Sequence, residues 1–228
     1  IGRHTSLHQN HNDRVNSAGF SVGTHVFYSP DNWNGFYIAG AANVGFDENH
    51  SKRRIAISDY RRTAKGHYTS VGASGLAALG KDFFAGNVSF GPIVTAEYGV
   101  TRREGFTERG GDGVNLRIKG GSEDTFATTV GGHLSGFSRT ETGLRLAANL
   151  TAGWKHEFTG SGYTATASFA GYPGTAFETR TERGARDGFV IQGTASLQSP
   201  RRRVFANLTS GYAHDTGFNV GFEAGFRF

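Results

Sequence analysis

The chain is 228 residues long with a formal net charge of +5, 35 glycines, 19 phenylalanines, no cysteine and no methionine. That length holds one or two aqueous domains or a single large barrel, and the missing cysteine rules out disulfide frameworks and thiolate chemistry. No run approaches the roughly 18 apolar residues of a membrane helix, and the negative mean hydropathy argues against helical spans only, because half of every barrel strand faces water.

Residues 1–16 are polar and aperiodic, an N-terminal segment read either as a first strand or as a truncated linker. With no initiator methionine and no signal peptide at Ile1, the chain reads as a piece of a longer precursor. From 17 to 228 the apolar residues recur at every second position, the period that puts successive side chains on opposite faces of a strand. Phe20, Val22, Val26 and Tyr28 share one face near 17–28, and Phe36, Ile38, Ala42, Val44 and Phe46 do so near 34–47. A weaker segment lies near 66–80. Val88, Phe90, Pro92, Val94, Ala96, Tyr98 and Val100 form the next face, followed by a short one at 112–119 and a weak one at 123–137. Leu144, Leu146, Ala148, Leu150, Ala152, Trp154 and Phe158 come next, then Tyr163, Ala165, Ala167 and Phe169. Phe189, Ile191, Ala195 and Leu197 precede Val204, Ala206, Leu208 and Tyr212. Phe218, Val220, Phe222, Ala224, Phe226 and Phe228 close the chain opposite Gly217, Asn219, Gly221, Glu223, Gly225 and Arg227.

Such strands are half apolar and half polar, and a tilted strand of about 9–11 residues crosses a bilayer. On a protein in water, a terminal strand bearing four phenylalanines on one side invites edge-to-edge aggregation; against lipid it is stable. The connections at 29–33, 81–86, 159–161 and 200–202 are short, and those at 48–65, 103–111 and 173–186 are longer and polar. Short turns at one end and long loops at the other describe an outer-membrane barrel. With Phe228 at the periplasmic end, parity puts 29–33, 81–86, 120–122, 159–161 and 200–202 on that side, provided 112–119 is a strand. This gives eleven strands from 17 onward. Bacterial barrels are usually even-numbered, and either residues 1–8 supply the twelfth or the missing strands lie upstream of Ile1, twelve being the favoured count. The expected fold is therefore all-β: a transmembrane antiparallel up-and-down barrel of twelve strands, with residues 17–228 as its domain.

The polar faces define the candidate lining. Glu97, Arg145, Lys155, Glu157, Glu223 and Arg227 all point inward if the alternation holds, and buried charges must be paired or wet. They make either a salt-bridge network that holds the barrel or a hydrated lining that tolerates a polypeptide. Trp154 falls on the outward face at the expected periplasmic end, in an aromatic membrane-interface position.

Other chemistry is thin. Four of the nine histidines, His4, His8, His11 and His50, lie in polar stretches near the start or in a loop, and no HExxH or paired-cysteine spacing exists. Neither a metal site nor a cofactor site is expected. The one GxSxG match, Gly19-Phe20-Ser21-Val22-Gly23, falls inside an alternating strand segment and not at the strand-to-helix turn of a nucleophile elbow, and the Gly110–Gly113 run lacks phosphate-loop spacing. His156 has no nucleophile beside it in the sequence, and the carboxylates Glu108, Asp112, Asp187 and Asp215 are scattered, so no catalytic residue is expected. Arg53-Arg54, Arg61-Arg62 and Arg102-Arg103 cluster at the expected outer rim, either as solvated loop faces or as a bidentate surface for lipopolysaccharide phosphates. Arg201-Arg202-Arg203 marks the opposite rim. Basic residues spread over both rims offer no single nucleic-acid groove.

From Asn16 to Phe228 the sequence resembles the C-terminal translocator β-domain of type V autotransporters. The resemblance rests on an ordered set of pieces: Gly91-Pro92-Ile93-Val94 with Tyr98, then Gly105-Phe106-Thr107-Glu108-Arg109-Gly110. Ala152-Gly153-Trp154-Lys155-His156-Glu157-Phe158, Arg186-Asp187-Gly188-Phe189 and Gly225-Phe226-Arg227-Phe228 follow in the same order. It implies a twelve-stranded, non-enzymatic barrel in the outer membrane of a Gram-negative cell that anchors an N-terminal passenger and helps carry it across. It also implies that Phe226 and Phe228 belong to the signal read by the outer-membrane assembly machinery, although that pattern favours glycine where this chain has Glu223. The partners implied are the lipid bilayer, lipopolysaccharide, the assembly machinery and the chain's own passenger. Residues 1–16 do not match the helix that precedes the barrel in the family. The rival readings are a barrel-borne hydrolase or protease with its site at the outer rim, and a passive porin or adhesin barrel.

Overall fold

The computed structural model describes residues 2–10, 13–159, 164–180, 186–199, 204–213 and 217–226; of 2–10, 204–207, 209, 213, 219 and 221–226 it describes the backbone alone. The strands are β1 (Gly2–Asn10), β2 (Asp13–Tyr28), β3 (Phe36–Ile57), β4 (Tyr60–Lys81), β5 (Phe83–Ala85), β6 (Val88–Arg103), β7 (Phe106–Thr107) and β8 (Leu116–Ile118). They continue with β9 (Gly121–Arg139), β10 (Arg145–Glu157), β11 (Thr164–Phe169), β12 (Tyr172–Arg180), β13 (Asp187–Ser199), β14 (Val204–Ala213) and β15 (Gly217–Phe226).

Eleven strands make one curled antiparallel sheet in the order β1-β2-β3-β4-β6-β9-β10-β13-β14-β15, with β5 paired to β6. The other four make a small sheet, β12-β11-β8-β7. Among the described residues no pairing joins β1 to β15. One end of the large sheet carries tight connections: Tyr28 to Phe36, Lys81 to Val88, Arg139 to Arg145, and the Ser199–Val204 pair. Gly35, with φ +84, turns the chain here, and its carbonyl accepts from the Asp82 backbone N–H at 2.8 Å. A side chain at 35 would strike the Asp82 carbonyl. The opposite, cap end carries the small sheet and the β3–β4 hairpin, whose 22-residue strands rise above their neighbours.

Segments 112–119 and 164–169 are not barrel strands: β6 pairs directly with β9, from Arg103↔Gly121 to Val88↔Gly136, and β10 pairs directly with β13. The three residues of β8 and six of β11 are too short to cross a bilayer and pair with each other in the small sheet. Removing those two from the expected twelve leaves the ten successive strands of the large sheet. In consequence, 120–122 and 159 lie at the cap end with 103–111, not with the tight turns, and the parity there fails. The segment 48–65 is not a loop either: it is the upper part of β3 and β4, paired without interruption to Ile57↔Tyr60.

The apolar residues are on the outside. Only Tyr37, Ile55, Ala64, Ala127 and Ala167 are buried hydrophobics among the described residues, and no large side chain is fully buried. Residues paired across strands share a face, so the register traces a continuous stripe: Tyr28, Ile38, Leu79, Val94, Val130, Trp154 and Phe189 are successive partners on seven strands. All seven are exposed. The stripe climbs from the tight-turn end of β2 to the cap end of β10, as it must when strands tilt in a curled sheet. In water such a surface would be lost to aggregation, since burying apolar area is the main favourable term in folding. The sheet therefore takes an apolar solvent on its convex side.

Candidate functional site

The concave face is built from the alternate residues of the same strands. One inner row is His25, Ala41, Leu76, Glu97, Ala127 and Glu157; the adjoining row is Phe27, Ala39, Ala78, Thr95, Thr129 and Lys155. Small residues dominate, and an open cleft of about 650 Å³ lies along this face, lined by His25, Asn43, Leu76, Glu97, Gly99 and Gln192 among others. Among the described residues none of Glu97, Lys155 and Glu157 joins an ion pair; they stand in two adjoining rows along an open face. Arg145 is exposed at the tight-turn rim, directly opposite Arg139. The Glu223 side chain and all of Arg227 and Phe228 lie outside the described residues. Phe226 is described by its backbone, which pairs with Val204.

At the tight-turn end the inner face holds a cluster that no sequence spacing reveals. His133 Nε2 bonds Asp82 Oδ1 at 2.7 Å, and its Nδ1 lies 3.5 Å from the Tyr37 hydroxyl. Tyr37 packs its ring over Gly80, where an added methyl would collide with it. This ties the 82–87 turn to β3 and β9. An Asp–His pair alone is a strut, because acyl chemistry also needs a nucleophile beside the imidazole, and here the imidazole meets a phenol.

At the cap end residues 104–120 dock on the upper part of β3 and β4 through Arg53, Tyr60, Arg62, Lys65 and Tyr68. Glu108, only 5% exposed, accepts from Arg53 Nε at 3.0 Å and Nη2 at 2.6 Å and from the Leu116 backbone N–H at 2.9 Å. Arg53 also donates to the Val114 carbonyl at 2.9 Å. The bond to Glu108 raises the Arg53 pKa above its already high ordinary value, outweighing the desolvation that lowers it. Asp112 takes Arg62 at 2.7 Å, and Phe106 stacks on Tyr68 with centroids 4.6 Å apart. The 104–120 segment also bonds the free upper edge of β4 through Lys65↔Arg109, which covers an otherwise unpaired strand edge.

Alternation splits each arginine pair. Arg53, Arg62 and Arg103 turn toward the cap, while Arg54, Arg61 and Arg102 are exposed on the outer side. The four scattered carboxylates do not converge: Glu108 and Asp112 hold separate arginines, Asp187 holds His156 at 2.7 Å, and Asp215 lies outside the described residues. Trp154 is 51% exposed on the convex face, its ring tilted against His156 with centroids 5.6 Å apart and with Phe158 and Phe126 beyond. This aromatic group sits at the cap end, not the tight-turn end expected from parity.

A family model described as "Autotransporter beta-domain" matches residues 2–209. Among solved structures, the translocator domain of autotransporter NalP from Neisseria meningitidis superposes with a TM-score of 0.64 at 14% identity, covering 98% of this chain and 72% of that one. The β-domain of the Bordetella autotransporter BrkA gives a TM-score of 0.46 at 15% identity, covering 96% of this chain and 84% of that one. No curated protein matches.

Proposed function

The chain belongs to the autotransporter β-domain family and is a translocator module for a passenger domain, and from that premise we propose how its parts serve that role. The convex stripe faces the lipid of a Gram-negative outer membrane. The tight turns face the periplasm, and the β3–β4 hairpin with its cap faces outward. The inner rows carrying Glu97, Lys155 and Glu157 line the path of a polypeptide, with Arg145 at its entrance. An extended chain passes such a lining without binding tightly, because small side chains leave space and charges of both signs stay hydrated. Trp154 and its aromatic neighbours mark the outer interface, and Arg54, Arg61 and Arg102 meet lipopolysaccharide phosphates. Phe226 and Phe228 serve the assembly machinery. The module works without a catalytic step.

The single observation that carries this reading is the inversion of the sheet, apolar outside and polar within. An epitope fused ahead of Gly2 and expressed in a Gram-negative host tests it. Antibody is expected to label intact cells. Labelling only after permeabilisation, with the barrel correctly inserted, would overturn the translocator reading.

A further inference from the structure

Above the apolar stripe the convex face of the β3–β4 hairpin changes from phenylalanine to ligand chemistry within two residues. Phe46, Glu48 and His50 follow one another on the same side of β3, and His67 of β4 is the direct cross-strand partner of His50. His67 Nε2 lies 2.8 Å from Glu48 Oε1. The His50 and His67 rings meet edge to face with centroids 4.7 Å apart. One donor atom from each of the three residues lies within 4.8 Å of the others, and all three residues are exposed. Among the described residues no hydrogen bond or ion pair joins them to the cap, whose Thr107 and Arg109 share an open cleft with His50 and His67.

We infer that Glu48, His50 and His67 form a binding site for a divalent transition-metal ion of the zinc class, held by two imidazole nitrogens and one carboxylate oxygen. That donor set suits zinc, copper or nickel rather than calcium or magnesium, which take oxygen ligands. Three protein ligands with a solvent molecule complete a tetrahedral, open site. Donors about 2.1 Å from a tetrahedral metal stand about 3.4 Å apart, so the present spacing closes by side-chain rotation on exposed, unpacked imidazoles while the paired backbone stays fixed. Without metal, a carboxylate can only accept, so the proton on His67 Nε2 points at Glu48; the ion replaces that proton. The next row outward is cationic, with Arg14, Lys52 and Lys65 as successive partners. Their repulsion makes the site an exchangeable one of moderate affinity. A bound ion would staple β3 to β4 beyond the last β4–β6 pair, Ser70↔Arg103, where β2 still pairs with β3 at Asn16↔His50.

The untagged full chain, refolded in detergent, is titrated with Zn²⁺ against a chromogenic chelator, and Cu²⁺ is used for nitrogen hyperfine structure in electron paramagnetic resonance. Binding of one equivalent is expected. Glu48→Gln and His50→Ala should weaken it by at least about tenfold, the loss that even an outer-shell partner causes. His25→Ala, on the inner face, should leave it unchanged, and His67→Ala should reduce the coordinated nitrogens from two to one. Heat-modifiable gel mobility reports that each variant is folded. Equal binding by the wild type and a folded His50→Ala/His67→Ala double variant would put the ion on other histidines and overturn the site, as would failure of the wild type to compete for zinc with a micromolar chelator.

Discussion

Val94→Arg is expected to cost the inserted protein about 2–4 kcal/mol, the penalty for a cation on the lipid face near the bilayer midplane. Val94 is the central member of the convex stripe, between Leu79 and Val130, and is 46% exposed. Leu76→Arg is the matched control. Leu76 belongs to the inner row and is the direct partner of Glu97, so an arginine there gains a carboxylate and keeps its water. A change within about 0.5 kcal/mol is expected, the usual range for a surface substitution. Denaturant unfolding in lipid vesicles, followed by the fluorescence of the two tryptophans, measures both. Equal costs for the two variants would mean that the faces are not differently solvated.

Glu108→Ala is expected to detach the cap, at a cost of about 3 kcal/mol, the lower end of the range for breaking a buried ion pair. The lower end applies because the two partners differ: Glu108 is 5% exposed, but Arg53 is 28% exposed and recovers part of its hydration. The Leu116 N–H loses its acceptor as well. Amide exchange over 104–118 should accelerate while β6 and β9 stay protected, since Arg103↔Gly121 closes the sheet beneath the cap. Arg53→Met combined with Glu108→Leu should restore part of the docking, because an apolar pair leaves no stranded charge. If exchange accelerated across β6 and β9 too, the cap would be part of the barrel's own stability.

The two-residue period was legible because it is a consequence of strand geometry, and it located the apolar faces of the large sheet from Phe20 to Tyr212 for which side chains are described, whereas 173–186, read as a loop, holds most of β12 with Phe177. The membership of each strand was not legible. Leu116 to Ile118 and Thr164 to Phe169 alternate as barrel strands do, because any sheet with one covered face selects the same pattern. What separates them is length, three and six residues against the 16 of β6, and a partner that only tertiary structure reveals. The hairpin above Glu48 read as a loop because its residues are polar on both faces; there the cap, not lipid, covers one side. The Asp82–His133–Tyr37 strut and the Arg53–Glu108 lock join residues 51, 96 and 55 positions apart, distances at which no local spacing carries a signal. Inward arginines could have been told from outward ones within each Arg-Arg pair by extending the alternation through the presumed loops.

The absence of cysteine makes the central claim directly measurable. Asp59 lies in the β3–β4 turn at the cap end, and Glu141 lies in the connection between β9 and β10 at the opposite end. Asp59→Cys and Glu141→Cys variants, expressed in a Gram-negative host, are treated with a membrane-impermeant maleimide. Labelling of Asp59→Cys on intact cells, with Glu141→Cys reacting only after the outer membrane is permeabilised, is the predicted result. Labelling of Glu141→Cys from outside while Asp59→Cys stays protected would contradict it.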